Sequence, residues 1–472
     1  MLDFLKKVTA GQTTPSNIPQ KYLADMADQI EKTSHIDSYL YEKYNVKRGL
    51  RNANGTGVVV GITNIGEVVG YKIDENKNKL PCDGELYYRG YEIKDLVSHY
   101  IEEDRFGFEE VIFLLLFGDL PSKKEFAAFT KYINDKRELP ANFARDMILT
   151  SPSQSIMNKL ARSVLALYCY DEDPDNTSIA NVLRQEIDLI GYFPALLAYA
   201  YQAKRSHFDN RTLHLRKPSP ELSTAENILR MIRSDGKYTD LEAKCLDISL
   251  ILHAEHGGGN NSAFATHLIS SSGTDTYAAI SASIGSLKGP KHGGANIMVI
   301  DMINDLKATV GDINDYNKVD NYLKDVLMKK ANDKTGLIYG MGHAIYTLSD
   351  PRTTMLKGMA KQLAEQSGRI DEFNLCQHIE DTAASLYEEV HGVKKIMCAN
   401  IDLYSGLVYS ILNIPHDLAT PLFALARLAG WSAHRIEELT SGGKLIRPAY
   451  IGISDKKTYT PLNKRKPLSS RK

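Results

Sequence analysis

The segment Phe108-Glu-Glu-Val-Ile-Phe-Leu-Leu-Leu-Phe117-Gly118 sets the character of the chain. Val111 to Phe117 is its longest uninterrupted apolar run, and Gly118, with Pro121 beyond it, is a helix stop signal. The run covers about a third of the ~20 residues a membrane-spanning helix needs, so it reads as a buried helix. Working outward, Ala225–Ile232, Leu241–His253, Asp402–Leu412 and Pro421–Glu438 are similar stretches and predict further helices. Residues 1–50 look helical and polar. The exception is Gly57 to Ile93, where Val58-Val59-Val60, Val68-Val69 and Leu86-Tyr87-Tyr88 are β-type runs separated by Gly61, Gly66, Gly70 and the polar segment Asp74–Lys79. The expected fold is therefore mainly α-helical, with a small β-hairpin or sheet near its start.

At 472 residues the chain is about three times a usual ~150-residue domain, enough for two or three domains or one large core with an insertion. Lys plus Arg number 57 and Asp plus Glu 58, a net charge of −1 that argues against a protein built to grip nucleic acid or an anionic membrane. The five cysteines (Cys82, Cys169, Cys245, Cys376 and Cys398) are scattered and contain no C-x-x-C pair, which argues against a disulfide framework or a cysteine-rich zinc site. The N-terminus, MLDFLKKVTAGQTTPSN, has neither the apolar stretch nor the cleavage site of a secretory signal, so the expected location is cytoplasmic. Lys464-Arg465-Lys466 and Arg471-Lys472 read as a solvated basic end.

Two clusters carry chemistry. One runs His253-Ala-Glu-His256-Gly-Gly-Gly-Asn260 and continues at Gly289-Pro-Lys-His292-Gly-Gly-Ala-Asn296. The other is Tyr339-Gly-Met-Gly-His343-Ala-Ile345, followed by Asp350-Pro-Arg352. His292 and His343 sit among glycines, where the backbone approaches a ligand closely. His267, His378 and His434 read as packing residues. His253 and His256, three apart at a helix end, would suit a metal site, but there is no H-E-x-x-H and no carboxylate or Cys partner at diagnostic spacing. Gly340-x-Gly342 fails as a nucleotide loop, because Ile345 stands where the third glycine belongs. Ser441-Gly-Gly-Lys444 matches S-x-x-K in form only and reads as a turn. Acid–base catalysis on a small acid, using two histidines, a carboxylate and several arginines, is the third reading.

Here the chain resembles the citrate synthase family over nearly its whole length. The resemblance rests on Tyr88-Arg-Gly-Tyr91, His253–Asn260, Gly289–Asn296, Gly340–His343, Asp350-Pro-Arg352, Asn400-Ile-Asp402-Leu-Tyr-Ser-Gly406, Phe423–Trp431 and Arg447-Pro448, in the family's order. It implies a helical homodimer of two-domain subunits. A small mobile domain would span 294–405, a large domain 1–293 and 406–472, and the active site would lie between them. It implies condensation of acetyl-CoA with oxaloacetate and hydrolysis of citryl-CoA, with no cofactor beyond these substrates and no metal. His292, His343 and Asp402 fall on the catalytic positions. Asp402 would remove a methyl proton, His292 would support the enol, and His343 would polarise the ketone of oxaloacetate. Read without the family, Asp402 is a helix N-cap.

The oxaloacetate positions fall on His256, Arg352, Arg427 and Arg447, the last reaching in from the partner subunit. Gly340, Met341 and Gly342 match the loop that meets CoA. Three departures fall near that region: Lys291 where many members have leucine, Thr347 where a base is common, and Ala399 where proline is common. Lys394 and Lys395 are the substitute candidates for CoA phosphate. The helical, polar residues 1–50 lack the β-rich segment of the hexameric branch, so a plain dimer is expected. 2-Methylcitrate synthase, acting on propionyl-CoA with the same groups, is the nearest alternative. A metal-dependent hydrolase built on His253 and His256 is a remote one.

Overall fold

Glycines and polar caps end and begin the helices where the sequence places them. The structure is a computed structural model that describes residues 20–466 apart from 53 and 77, and of 20–25 the backbone alone. The first nineteen residues and Arg471-Lys472, on which expectations were stated above, lie outside the described residues. Contacts divide the chain at Val60. The first unit carries two helices, α1 (Gln20–Ser34) and α2 (Tyr39–Lys43), so its described part is helical as expected.

The second unit, from Gly61 onward, opens with an antiparallel sheet of β1 (Gly66–Ile73), β2 (Lys79–Tyr88) and β3 (Tyr91–Glu92), in that order. Gly66 pairs with Tyr88 and Ile73 with Lys79, and the register shifts between Val69 and Tyr71. The run Val58-Val59-Val60 does not extend this sheet. It is irregular backbone with Val59 87% exposed, because β-branched residues make a strand only where a neighbouring strand takes their hydrogen bonds.

Fifteen helices follow among the described residues: α3 (Ile93–Glu102), α4 (Phe108–Phe117), α5 (Lys123–Asp135), α6 (Ile156–Leu167), α7 (Ile179–Phe208), α8 (Thr224–Ile232), α9 (Asp240–His253), α10 (Asn261–Ser270), α11 (Thr276–Leu287), α12 (Ala295–Val310), α13 (Tyr316–Leu327), α14 (Pro351–Gln366), α15 (Ile370–His391), α16 (Ile401–Ile411) and α17 (Ala419–Thr440). The five helices predicted from sequence are α4, α8, α9, α16 and α17. Gly118 ends α4 with φ +92°, its N–H bonding Leu114 O, as a left-handed cap does. Ser122, Ser223 and Thr239 open α5, α8 and α9 with reciprocal capping boxes to Glu125, Glu226 and Glu242.

The sheet is fastened to this helical body through helix ends. Tyr88 Oη donates to Ile251 O in the last turn of α9 and to Glu255 O just beyond it, both at 3.0 Å. Arg89 holds Leu115 O near the end of α4 with Nε and Nη2, at 3.0 and 2.7 Å. A large core joins α4, α6, α7, α9, α11 and α17 around buried residues such as Trp431, Phe193 and Leu250. A second, separate apolar cluster lies between Met302 and Leu386, built from α12, α13 and α15 with Ile338. No helix among the described residues is long and apolar enough to cross a membrane.

Candidate active site

Five segments of the second unit bring the sequence-predicted side chains together: the end of α9, the turn before α12, the loop between α13 and α14, and the starts of α14 and α16. Arg427 joins them from inside α17.

The loop carrying His343 is held by the sheet. Gly70 and Gly84 admit it: a Cβ on Gly70 would lie 2.6 Å from Ile345 O, and one on Gly84 2.3 Å from Ser349 O. Thr347, which departs from the family's basic pattern, spends its hydroxyl here. Its Oγ1 lies 2.7 Å from Gly70 O and 3.1 Å from both the N–H and the carbonyl of Cys82. On its other side the loop meets the segment before α16, where Gly342 N donates to Cys398 O and Asn400 Nδ2 to Gly342 O, at 2.7 and 2.8 Å.

These contacts fix the histidine tautomers. The backbone N–H groups of Ile345 and Tyr346 both donate to His343 Nδ1 at 3.1 Å, so the proton of the neutral ring sits on Nε2. Burial, helped by Arg352, pushes the His343 pKa down to about 4 and keeps the ring neutral. For His292 the lock is reversed. Ser262 N–H donates to its Nε2 at 3.2 Å, leaving Nδ1–H as the outward donor, and burial beside Arg427 lowers the pKa to about 4. His343 Nε2 and Arg352 Nη2 stand 3.5 Å apart. Both are donors, so an oxygen acceptor placed against them receives two hydrogens.

Asp350 caps α14, with Pro351 in the first turn, and clamps Arg352 through Nε–Oδ1 at 3.0 Å and Nη2–Oδ2 at 2.7 Å. Arg352 is 4% exposed and Arg427 1%. Arg427 makes one hydrogen bond among the described residues, Nε to His253 O at 2.8 Å, and its guanidinium rests over the Phe423 ring at 4.8 Å. Burial pushes its pKa down to about 10, which still leaves it a cation at neutral pH.

The N-cap of α16 is Asn400, whose Oδ1 accepts from Asp402 N–H at 3.0 Å. The capping reading of Asp402 is thus corrected: the cap lies two residues earlier, and the Asp402 carboxylate is left without a capping role at the positive end of the helix. Burial pushes its pKa up to about 6; Asp350 adds to the rise, while Arg352 and a hydrogen bond from Asn296 oppose it.

His253 turns Nδ1 to Ser249 O at 2.7 Å and packs against Phe423, while His256 Nε2 meets Tyr346 Oη at 3.2 Å. They do not form a group of three potential metal ligands; among the described residues that arrangement belongs to His267, His434 and Glu437. His434 is more than a packing residue. Burial alone would lower its pKa, but Glu255, 3.1 Å from Nε2 and equally buried, raises it to about 9. Glu255 lies between His253 and His256 in sequence, next to His256, and also feels the charge of Arg427. Arg447, Lys394 and Lys395 are exposed; Arg447 makes no hydrogen bond or ion pair among the described residues, and Lys395 lies 4.8 Å over the Tyr387 ring.

Sequence reasoning missed Ser262, Tyr346, Asp350 and Glu255 as parts of this site. Asp350 had a signal in the Asp-Pro helix start. The other three act through contacts the chain pattern does not encode.

A family model described as "Citrate synthase, C-terminal domain" matches residues 52–449. The chain belongs to the citrate synthase family. Citrate synthase from Synechocystis is 33% identical over 385 residues, covering 81% of this chain and 89% of the relative. 2-Methylcitrate synthase from Shewanella oneidensis is 30% identical, covering 80% of this chain and 92% of the relative. The crystal structure of citrate synthase from Pyrobaculum aerophilum superposes with a TM-score of 0.70 at 27% identity, covering 86% of this chain and 94% of that one. The all-helical fold with its small sheet, expected from sequence, is that of the citrate synthases, and the protein is an enzyme of that type.

Proposed function

We propose that the protein condenses acetyl-CoA with oxaloacetate and hydrolyses the resulting citryl-CoA, an acyl transfer that releases citrate and CoA. The observation that carries this reading is Arg427: a buried guanidinium beside an equally buried Arg352, with only its Nε engaged among the described residues. Asp350 already pairs Arg352, so the unspent fork of buried Arg427, with the remaining hydrogens of Arg352 beside it, calls for an anionic ligand, and a small dicarboxylate such as oxaloacetate matches it. His256 adds a donor, and Arg447 from the partner subunit completes the set in a homodimer.

His343 then directs Nε2–H to the ketone oxygen, drawing electrons from the carbonyl carbon and protonating the alkoxide as the new bond forms. A thioester methyl is a very weak carbon acid, so its proton leaves only if the enolate is stabilised as it forms. His292 Nδ1–H supplies that hydrogen bond at the thioester oxygen, and Asp402 takes the proton. A base with a pKa near 6 is ionised at neutral pH yet basic enough to help. The chemistry asks for no resident cofactor; acetyl-CoA is a co-substrate, met by Gly340, Met341 and Gly342, with Lys394 and Lys395 on its phosphates. A small domain over 294–405 that closes on oxaloacetate belongs to this reading, and the separate apolar cluster between Met302 and Leu386 supports the part of it built from α12, α13 and α15.

Thiol release on mixing with acetyl-CoA and oxaloacetate is the expected result, and no oxaloacetate-dependent release overturns the reading. The Shewanella relative motivates a second one, 2-methylcitrate synthesis from propionyl-CoA. One methylene is worth only ~1–3 kcal/mol in a pocket, so the two activities are expected to overlap. The ratio of kcat/KM for the two acyl-CoAs ranks them.

A further inference from the structure

Tyr346 touches more of the proposed oxaloacetate set than any residue assigned to it. Its ring stacks on His343, with centroids 4.6 Å apart and planes at 29°, and the Arg352 guanidinium lies 5.6 Å from its centre. Its Oη is 3.2 Å from His256 Nε2, and its own N–H is one of the two that fix the His343 tautomer. The side chain is 3% exposed, and Oη–His256 is its only hydrogen bond among the described residues.

From this geometry we propose that Tyr346 is a further oxaloacetate-binding residue, acting with His256 as a single hydrogen-bond donor unit. The inference rests on the function proposed above. Hydrogen counting supports it in either tautomer. If Oη–H donates to Nε2, the neutral His256 ring carries its proton on Nδ1, and that N–H remains to be given. If Nε2–H donates to Oη, the phenol hydrogen remains instead. Each state therefore offers one unspent donor among two buried arginines, where a dicarboxylate is the natural acceptor. Burial holds the phenol pKa far above its ordinary value, and burial with Arg352 and His343 holds that of His256 far below its own. The pair keeps the same hydrogen inventory throughout the neutral pH range. The stack gives the ring a separate task, because it restricts the plane of His343 and hence the direction of its Nε2–H.

The test is thiol release by the full chain at saturating acetyl-CoA with oxaloacetate varied. Tyr346→Phe removes the hydroxyl and keeps the stack. It should raise the oxaloacetate KM about tenfold, the usual effect of losing one such bond, with kcat and the acetyl-CoA KM within about twofold. Tyr346→Leu removes both and should lower kcat as well. Because the two residues form one unit, Tyr346→Phe combined with His256→Gln should be no worse in oxaloacetate KM than His256→Gln alone. An unchanged KM in Tyr346→Phe, a loss confined to kcat, or independent multiplying losses in the double variant overturns the proposal. A wild-type protein that releases no thiol overturns the function it rests on, and so the two failures are distinguishable.

Discussion

Asp402→Asn should inactivate the enzyme and stabilise it at the same time. In the folded protein burial raises the Asp402 pKa from 3.8 to about 6, a difference of about two units. At 1.36 kcal/mol per unit, the folded state holds the ionised carboxylate at a cost of about 3 kcal/mol. Because the native form binds this proton more tightly than the unfolded form, its contribution to stability falls as pH rises from about 4 to about 6 and stays at its full deficit above. Asparagine keeps the size and can keep the Asn296 contact without the charge. Urea unfolding should therefore show little difference between variant and wild type at pH 4, and a gain for the variant approaching 3 kcal/mol at pH 7. The same ionisation governs rate. At pH 5 only about a tenth of Asp402 is ionised, so kcat/KM should drop about tenfold from its neutral value, with a midpoint near 6. The variant should lose several orders of magnitude in kcat at every pH. A variant less stable than wild type at pH 7, a kcat/KM that stays flat down to pH 4.5, or near-normal turnover without the carboxylate would refute the assignment.

Replacing Arg427 by Leu should raise the oxaloacetate KM by at least a hundredfold, since charge-assisted hydrogen bonds contribute about 1.5–3 kcal/mol each; steady-state kinetics read it directly. His434→Gln leaves Glu255 buried without its cation and should cost about 3–5 kcal/mol in chemical denaturation, much of it recovered in the Glu255→Gln/His434→Gln double variant. In the wild type the stability supplied by this pair is complete below the ordinary histidine pKa of 6.5 and is lost as pH rises through about 9, which an alkaline denaturation series tests. Gly70→Ala pushes a methyl against backbone of the His343 loop, 2.6 Å from Ile345 O and 2.7 Å from Tyr346 Cα. It should lower kcat/KM for oxaloacetate more than tenfold while the acyl-CoA KM changes little.

Local rules made much of the fold legible. Gly118 after seven apolar residues ended a helix, and the serine and threonine caps opened others, because those signals act within one turn of the chain. Val58-Val59-Val60 failed for the complementary reason: strand character is realised only when a partner strand is present, and the sequence does not say whether one is. The clusters around His256, His292 and His343 stood out because glycines mark close backbone approach, and the structure does bring their side chains together with Arg352, Asp402 and Arg427.

What stayed hidden is the layer that gives those side chains their chemical state. Asp402 looked like a cap because an acid near a helix start usually is one; only the backbone shows that Asn400 takes the role and releases the carboxylate. Ser262 sets the proton of His292 from thirty residues away, and Glu255 charges His434 across 179. Thr347 is the sharpest case. Measured against a family pattern it was a missing base, whereas in the fold its hydroxyl ties the His343 loop to β1 and β2. Here Thr347 orients the machinery instead of supplying a charge. Any CoA-phosphate contact on this chain must then come from elsewhere, which is why exposed Lys394 and Lys395 are the first positions to substitute when acyl-CoA affinity is measured.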